Sequence, residues 1–404
     1  MKVEHLKSLT EKYSLVYYFN SNGAGDSYLA LGDESAKQCK SSVLEELKTW
    51  LNDNSLDWVF GYFGYDLKNQ VEDLHSSNPD KVEFPESFFF VPQVLVKIES
   101  NGDVSNEIGD FSWPLKSELT VFDSEIDLKW RVSKNDYLQN VSNLLEHIQK
   151  GDVYEINYCH EFYAKKVQID PTRLYQEVNE LTKAPFNTFV KNEHLYAICA
   201  SPERFIKRTQ NRIISQPIKG TIKRDLDPIQ DKILIERLEN DEKERSENIM
   251  IVDIVRNDLS KVALPNSVKV DELCKIYSFE TVHQMISTVS ATVAQGQNNF
   301  DIIMSCFPMG SMTGAPKIKA MELIEKYEST KRGLYSGAIG YFKPNGDFDF
   351  NVVIRTLLYN EKNKNLSGMV GGAITSKSDP QQEFEETKLK AEALIKAVKN
   401  ASSS

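Results

Sequence analysis

From Ser133 onward the apolar positions fall at helical spacing, with Tyr137, Leu138, Val141, Leu144, Leu145 and Ile148 on one face, Asp136 in the first turn and Gly151 as the stop. Ser133 is placed to cap that helix. The pattern then switches repeatedly. YEINYCHEFYA (154–164) reads as a strand, and Asp170-Pro171 opens a helix to about Leu181. LYAICAS (195–201), RFIKRT (204–209) and RIISQPI (212–218) form a strand group turning at Gln210-Asn211. Asp227-Pro228 starts a long helical zone to about Asp258, and Ala315-Pro316 starts another. FDFNVVIRTLLY (348–359) and LSGMVGGAIT (366–375) read as paired strands, and Asp379-Pro380 caps a final helix.

Upstream, residues 1–125 alternate short apolar runs with turn residues, as in WVFGYFGYDL (58–67) and FFFVPQVLVKI (88–98), which predicts a strand-rich region. ESNGDVSNEIGD (99–110) is polar and reads as a hairpin turn or exposed loop. The texture changes near Val132, so the expected organisation is an N-terminal region, 1–125, packed into the same globule as a second region, 130–400. Strand groups alternate with helices without a β-α-β period or an internal repeat. That predicts an α+β fold with large, mostly antiparallel sheets.

The chain has 404 residues, 40% of them hydrophobic, with 48 basic and 59 acidic side chains and a net charge of −11. Such a chain can build large cores without disulfide or metal staples and carries no electrostatic footprint for nucleic acid or anionic membrane. A small anionic substrate stays open, because a few cations in a cleft dominate their local field. The five cysteines, Cys39, Cys159, Cys199, Cys274 and Cys306, form no C-x-x-C pair and read as reduced. No signal-like or membrane-length apolar run occurs, and Phe88–Val96 is short and broken by Pro92. A cytoplasmic protein with no nucleic-acid or membrane partner is expected.

Several side chains could carry chemistry. Glu244 with Glu247, and Glu383 with Glu386, sit three apart on predicted helices, so each pair shares a face. Four carboxylates suit a hard cation such as Mg2+, while the same spacing is also common on solvated helices. Lys219 lies between Pro217 and Gly220 directly after a strand. It is a candidate nucleophile if desolvation or a neighbouring cation keeps its amine partly deprotonated, and otherwise an exposed loop lysine. GSMTGAPK (310–317) leads small residues into a helix without P-loop spacing. Arg355 sits inside the apolar run VVIRTLL and calls for an acidic partner or an anionic ligand, and Gly371-Gly372-Ala373 permits close backbone approach to a ligand or tight sheet packing. His283 in TVHQM fits either a general base or a satisfied core histidine, and Cys199 fits the core.

In order along the chain, GDVYEIN (151–157), ASPERF (200–205), PIKGT (217–221), SENIMIVDIVRNDL (246–259), TVHQM (281–285), GSMTGAPK (310–317), LYSGAIGYF (334–342), VIRTLL (353–358), GGAIT (371–375) and DPQQEFEETKLKA (379–391) resemble the blocks of the chorismate-utilising enzymes. GYFGYDL (61–67) is similar to the N-terminal part of that family's component I members. The resemblance implies two sheets packed as a sandwich with helices outside. Lysine between PI and GT is typical of the family's aminodeoxychorismate synthase branch, and alanine of anthranilate synthase, so Lys219 implies the former. It implies that Lys219 attacks carbon 2 of chorismate as the 4-hydroxyl leaves with Mg2+ assistance, and that ammonia then attacks carbon 4 and expels the lysine from carbon 2.

By the same carry-over, Glu247 and Glu386 are implied as direct Mg2+ ligands, with Glu244 and Glu383 beside them or acting through water. Glu203 and His283 are implied as active-site polar groups, Glu203 as the general acid. Tyr335, Arg355 and the backbone of Gly371, Gly372 and Ala373 are implied as carboxylate holders, Lys390 as an accessory cation, and Thr221 as a residue at the ring. Glu155 departs from the usual lysine or glutamine at its position, and Ala373 from a more usual glycine. No cysteine has the elbow and histidine partner of a glutamine amidotransferase, so ammonia is expected from a separate amidotransferase subunit. Anthranilate synthase component I, or a non-catalytic chorismate-binding or amidotransferase-docking subunit, are the rival readings.

Overall fold

Tyr17, Tyr28, Val190, Ala197 and Leu358 share one buried cluster with Phe60, Tyr62, Phe88 and Ile339, although the two sets belong to different sheets. Alternation along the strands turns these residues inward and stacks the sheets face to face. The computed structural model describes residues 1–402 apart from 121, 123 and 124, which lie at the end of the N-terminal region. Among those residues one sheet has eleven strands and the other ten, with antiparallel pairing throughout. Helices Val3–Lys12, Pro171–Thr182 and Pro380–Ser402 cover the outer face of the first sheet. Leu44–Asp53, Glu242–Ser260 and Asn299–Cys306 cover the second. The fold is the α+β sandwich that the resemblance implies.

N-terminal strands are laced into both sheets: Leu15–Asn20 pairs with Phe186–Asn192, and Val59–Phe63 with Ala338–Phe342. Local cap chemistry places the helices as expected. Ser133 accepts from the Asp136 amide, Asp170 from that of Thr172, and Asp227 from that of Ile229, with Pro171 and Pro228 in the first turn. No helix among the described residues is long and apolar enough to cross a membrane.

Three expectations are corrected. The helical zone 227–258 is two helices, Pro228–Glu239 and Glu242–Ser260, because Asp241 leaves helical geometry and caps the second by accepting from the Glu244 amide. The stretch 99–110 holds the expected hairpin turn at 99–103 but then continues as a strand, Val104–Ile108, paired with Val94–Ile98. The run 348–359 is not one strand. Phe348–Asn351 belongs to the second sheet and Thr356–Asn360 to the first, so the chain crosses between sheets at 352–355 and Arg355 takes a left-handed φ of 50°. A parallel crossing occurs between Leu195–Ser201 and Arg204–Thr209, around Glu203.

Candidate active site

These two crossings are hydrogen-bonded to each other: the Val352 amide donates to the Glu203 carbonyl at 3.0 Å, and the Ala200 amide to the Arg355 carbonyl at 3.1 Å. Glu203 and Arg355 are thereby held as neighbours between the sheets. Glu203 is 5% exposed and accepts a 2.8 Å hydrogen bond from the Ser311 hydroxyl on the GSMTGAPK loop. Burial pushes its carboxyl up to about 7, against the opposing pull of that hydroxyl, Lys219 and Arg355. At neutral pH it is therefore a half-protonated acid, the state a proton donor needs. The Arg355 guanidinium makes no hydrogen bond or ion pair among the described residues. Its burial lowers its proton affinity, and Glu203 offsets this in part. A half-buried guanidinium left this way fits an anionic ligand better than a structural ion pair.

Lys219 reaches the same region from the strand Ile218–Lys223. The register against Val282–Thr292 slips between Ile218 and Thr221, and Gly220 sits at φ +86° within the slip. A Cβ there would also crowd Leu238 at 3.1 Å and Glu244 at 3.3 Å, so glycine lets the strand lie close to the two helices. Lys219 Nζ lies 3.1 Å from Oε1 of Glu155, whose side chain is 1% exposed. Burial alone would lower the lysine's proton affinity, but Glu155, Glu247 and Glu203 together raise it. These carboxylates favour the ammonium form, so neither desolvation nor a nearby cation, the two conditions for a nucleophilic amine, acts on Lys219 here without that opposition. Glu155 Oε2 is buried without a hydrogen-bond partner.

The E-x-x-E pairs lie on the helices Glu242–Ser260 and Pro380–Ser402. Burial raises Glu244, with Glu386 adding to the shift. Burial likewise pushes Glu247 up to about 7, where Lys219 opposes and Glu244 and Glu155 reinforce it. Glu386 is held low, chiefly by Lys390 at 2.7 Å. No three His, Cys, Asp or Glu side chains among the described residues are gathered into a ready-made metal site. Lys243 instead reaches between the helices, 3.9 Å from Glu247 and 3.5 Å from Glu383. The charges of all four glutamates act on it. Hard oxygen donors around one cationic group, with the buried Oε1 of Glu247 lacking any hydrogen bond, fit a Mg2+ ion.

Around this core the other expected residues are distributed unevenly. Gly372 faces the carboxylates, since a Cβ there would lie 3.3 Å from Glu383 and 3.8 Å from Lys390, whereas Gly371 packs against Tyr158 and Cys159. Lys390 donates to the Gly371 carbonyl at 3.0 Å, and Ala373 is buried in the same strand. Thr221 is exposed, with Gln284 3.4 Å from its hydroxyl. Tyr335 is buried, its hydroxyl 3.9 Å from the Cys159 sulfur. His283 is fully buried, one ring nitrogen 2.9 Å from Asp231 and the other 2.8 Å from Ser278, so both are already engaged.

Behind the site, Arg332 and Glu328 form a buried ion pair at 2.6 Å. Arg332 also donates to the carbonyls of Met312 and Asn157 and so fastens the 310–313 loop to the strand that starts at Glu155. Arg332→Met would leave Glu328 charged and unpaired, and urea unfolding is expected to show a loss of about 3–5 kcal/mol. A loss under about 1 kcal/mol would contradict this fastening role.

A probable aminodeoxychorismate synthase of rice chloroplasts is 35% identical over 390 residues, covering 85% of this chain and 43% of that protein. The chain therefore spans less than half of this relative's length. Anthranilate synthase component 1 of Aquifex aeolicus is 33% identical, with 86% of this chain and 75% of that protein covered. Aminodeoxychorismate synthase component 1 of Klebsiella aerogenes is also 33% identical, covering 82% and 75%. The crystal structure of anthranilate synthase component I from Streptococcus pneumoniae superposes with a TM-score of 0.76 at 23% identity, over 94% of this chain and 89% of that one. With a sequence model of the family matching residues 16–396, the chain belongs to the chorismate binding enzymes.

Proposed function

We propose that this protein acts as an aminodeoxychorismate synthase component I, converting chorismate and ammonia to 4-amino-4-deoxychorismate on the way to 4-aminobenzoate and folate, in the cytoplasm. The observation that carries the reading is Lys219, a half-buried lysine amine 3.1 Å from Glu155 and within the fields of Glu203 and Glu247. A lysine in that setting can lose its proton to Glu155, its nearest acceptor, and become a nucleophile when substrate fills the cleft. Glu203, half protonated near neutrality, supplies the proton that lets the 4-hydroxyl depart as water. Arg355 and Lys390 supply positive charge for the substrate's carboxylates, and Gly372 leaves room beside Lys390. Glu244, Glu247, Glu383 and Glu386 would hold Mg2+. When bound, the ion supplies electrostatic stabilisation of negative charge developing on the substrate.

The relatives named anthranilate synthase keep a second reading open in the same family, and Lys219 favours the first. The nitrogen source follows from the thiols. Burial pushes Cys159 and Cys306 up to about 12 and Cys199 to about 11, and Cys39 and Cys274 are raised as well. None is poised to attack glutamine. The purified chain with chorismate and Mg2+ is therefore expected to form aminodeoxychorismate from ammonium salts, faster as rising pH frees ammonia, and nothing from glutamine until an amidotransferase subunit is added. Chromatographic product analysis decides. Anthranilate with pyruvate would favour the rival enzyme, no product would favour a non-catalytic subunit, and glutamine use by the chain alone would refute the ammonia source.

A further inference from the structure

Lys243 is the second residue of the Glu242–Ser260 helix, capped by Asp241. A cation there meets the positive end of the helix dipole, the unfavourable end for it. Something must offset that cost, and the side chain's direction shows what does. Its ammonium reaches one turn along to Glu247 and across to Glu383 on the facing helix, bridging the two E-x-x-E pairs.

The bridge is loose. Separations of 3.9 and 3.5 Å are too long for hydrogen bonds, whereas Lys390 and Lys219 hold Glu386 and Glu155 at 2.7 and 3.1 Å. Lys243 therefore neutralises charge without satisfying the oxygens, and Glu247 Oε1 is left buried and bare. The Lys243 side chain is 41% exposed, against 11% for that of Glu247 and 3% for that of Glu383, so the ammonium has an open route back to water while these two carboxylates do not.

We propose that Lys243 is a resident counter-cation that occupies the divalent-cation site of the ligand-free protein and is expelled to solvent when the metal binds. The inference rests on the cation site in the functional reading above and adds an exchange to it. An ammonium and a divalent ion cannot share the space between Glu247 and Glu383. Metal affinity is then set by the difference between two cations rather than by the four carboxylates alone. The same lysine keeps those carboxylates from repelling one another while the site holds no metal.

The test uses Mn2+ as probe, its free concentration read by electron paramagnetic resonance, together with thermal unfolding with and without saturating Mg2+. Lys243→Met is expected to bind Mn2+ about tenfold more tightly than the unsubstituted protein. It should also melt at a lower temperature without metal and regain the difference when Mg2+ is added. Lys243→Arg, which keeps the charge, should bind no more tightly than the unsubstituted protein. Lys388→Met, which removes a cation paired with Glu385 outside the cluster, should change neither readout. Unchanged Mn2+ affinity in Lys243→Met, or a loss of melting temperature that Mg2+ does not restore, would overturn the exchange while leaving the cation site standing. Absence of Mn2+ binding in both proteins would overturn the exchange and the cation site together.

Discussion

Lys219→Ala is expected to lower aminodeoxychorismate formation by about 10³-fold or more and to remove any covalent protein–substrate species seen by intact mass. The size follows from the setting. The amine is the half-buried nitrogen that Glu155, Glu203 and Glu247 all act upon, and among the described residues no second lysine pairs with Glu155. The substitution also leaves Glu155 buried without its cation, so a folded-state control by circular dichroism and melting belongs with it. Lys219→Arg separates the two effects, because guanidinium keeps the charge for Glu155 but stays protonated and cannot attack. Near-normal turnover in either variant, or an adduct mapped to a different lysine, would remove Lys219 from the chemistry.

Glu247→Gln is expected to weaken divalent-cation binding by about 100-fold and to depress turnover in parallel at ordinary Mg2+. Glu247 combines burial, a bare oxygen and a carboxyl held at about 7, well above the ordinary range for glutamate. The pH sign follows from that value. Below about 7 the group is largely protonated, the cation needs the carboxylate, and binding must expel a proton. Apparent affinity should rise as pH climbs from 6 to 8, and weakly buffered protein at pH 6.5 should acidify on addition of Mg2+. In Glu247→Gln that proton release should shrink. Unchanged affinity, or equal proton release from both proteins, would dissociate Glu247 from the metal.

What was readable in the sequence was chemistry carried by neighbours in the chain. Ser133, Asp170 and Asp227 announce their helices because the capping oxygen and the amide it accepts from lie within three residues. Asp241 is the same kind of signal, three residues before Glu244, yet it sits in an acid-rich stretch that reads as continuous helix. The break at 352–355 has no such mark. Val352 and Val353 are as buried as a strand interior, and only the stacking of two sheets makes Arg355 turn out of line at positive φ. Glu155 stands out in the sequence without a role, and Lys243 does not stand out at all, for a related reason. Each is one acid or base among many, and the meaning of each depends on a partner distant in sequence, Lys219 for one and Glu383 for the other.

The lacing of the chain through both sheets also bears on how the molecule is made. The strand Glu155–Ala164 has its main partner in Asn365–Thr375, with Glu155 opposite Thr375 and Ala164 opposite Leu366. During synthesis that strand, almost wholly buried in the finished protein, waits for most of the remaining chain before its edge is covered. The closure pairs residues far apart in the chain, and such pairings are slow relative to local helix formation. Glu383 and Glu386 arrive later still, on a helix that docks against Pro171–Thr182. A nascent chain therefore passes through a stage with Lys219 already emerged, an open apolar sheet edge and the carboxylates of the two helices not yet together. At that stage intermolecular strand pairing competes with folding, and dilution or a chaperone tips the balance toward the native protein.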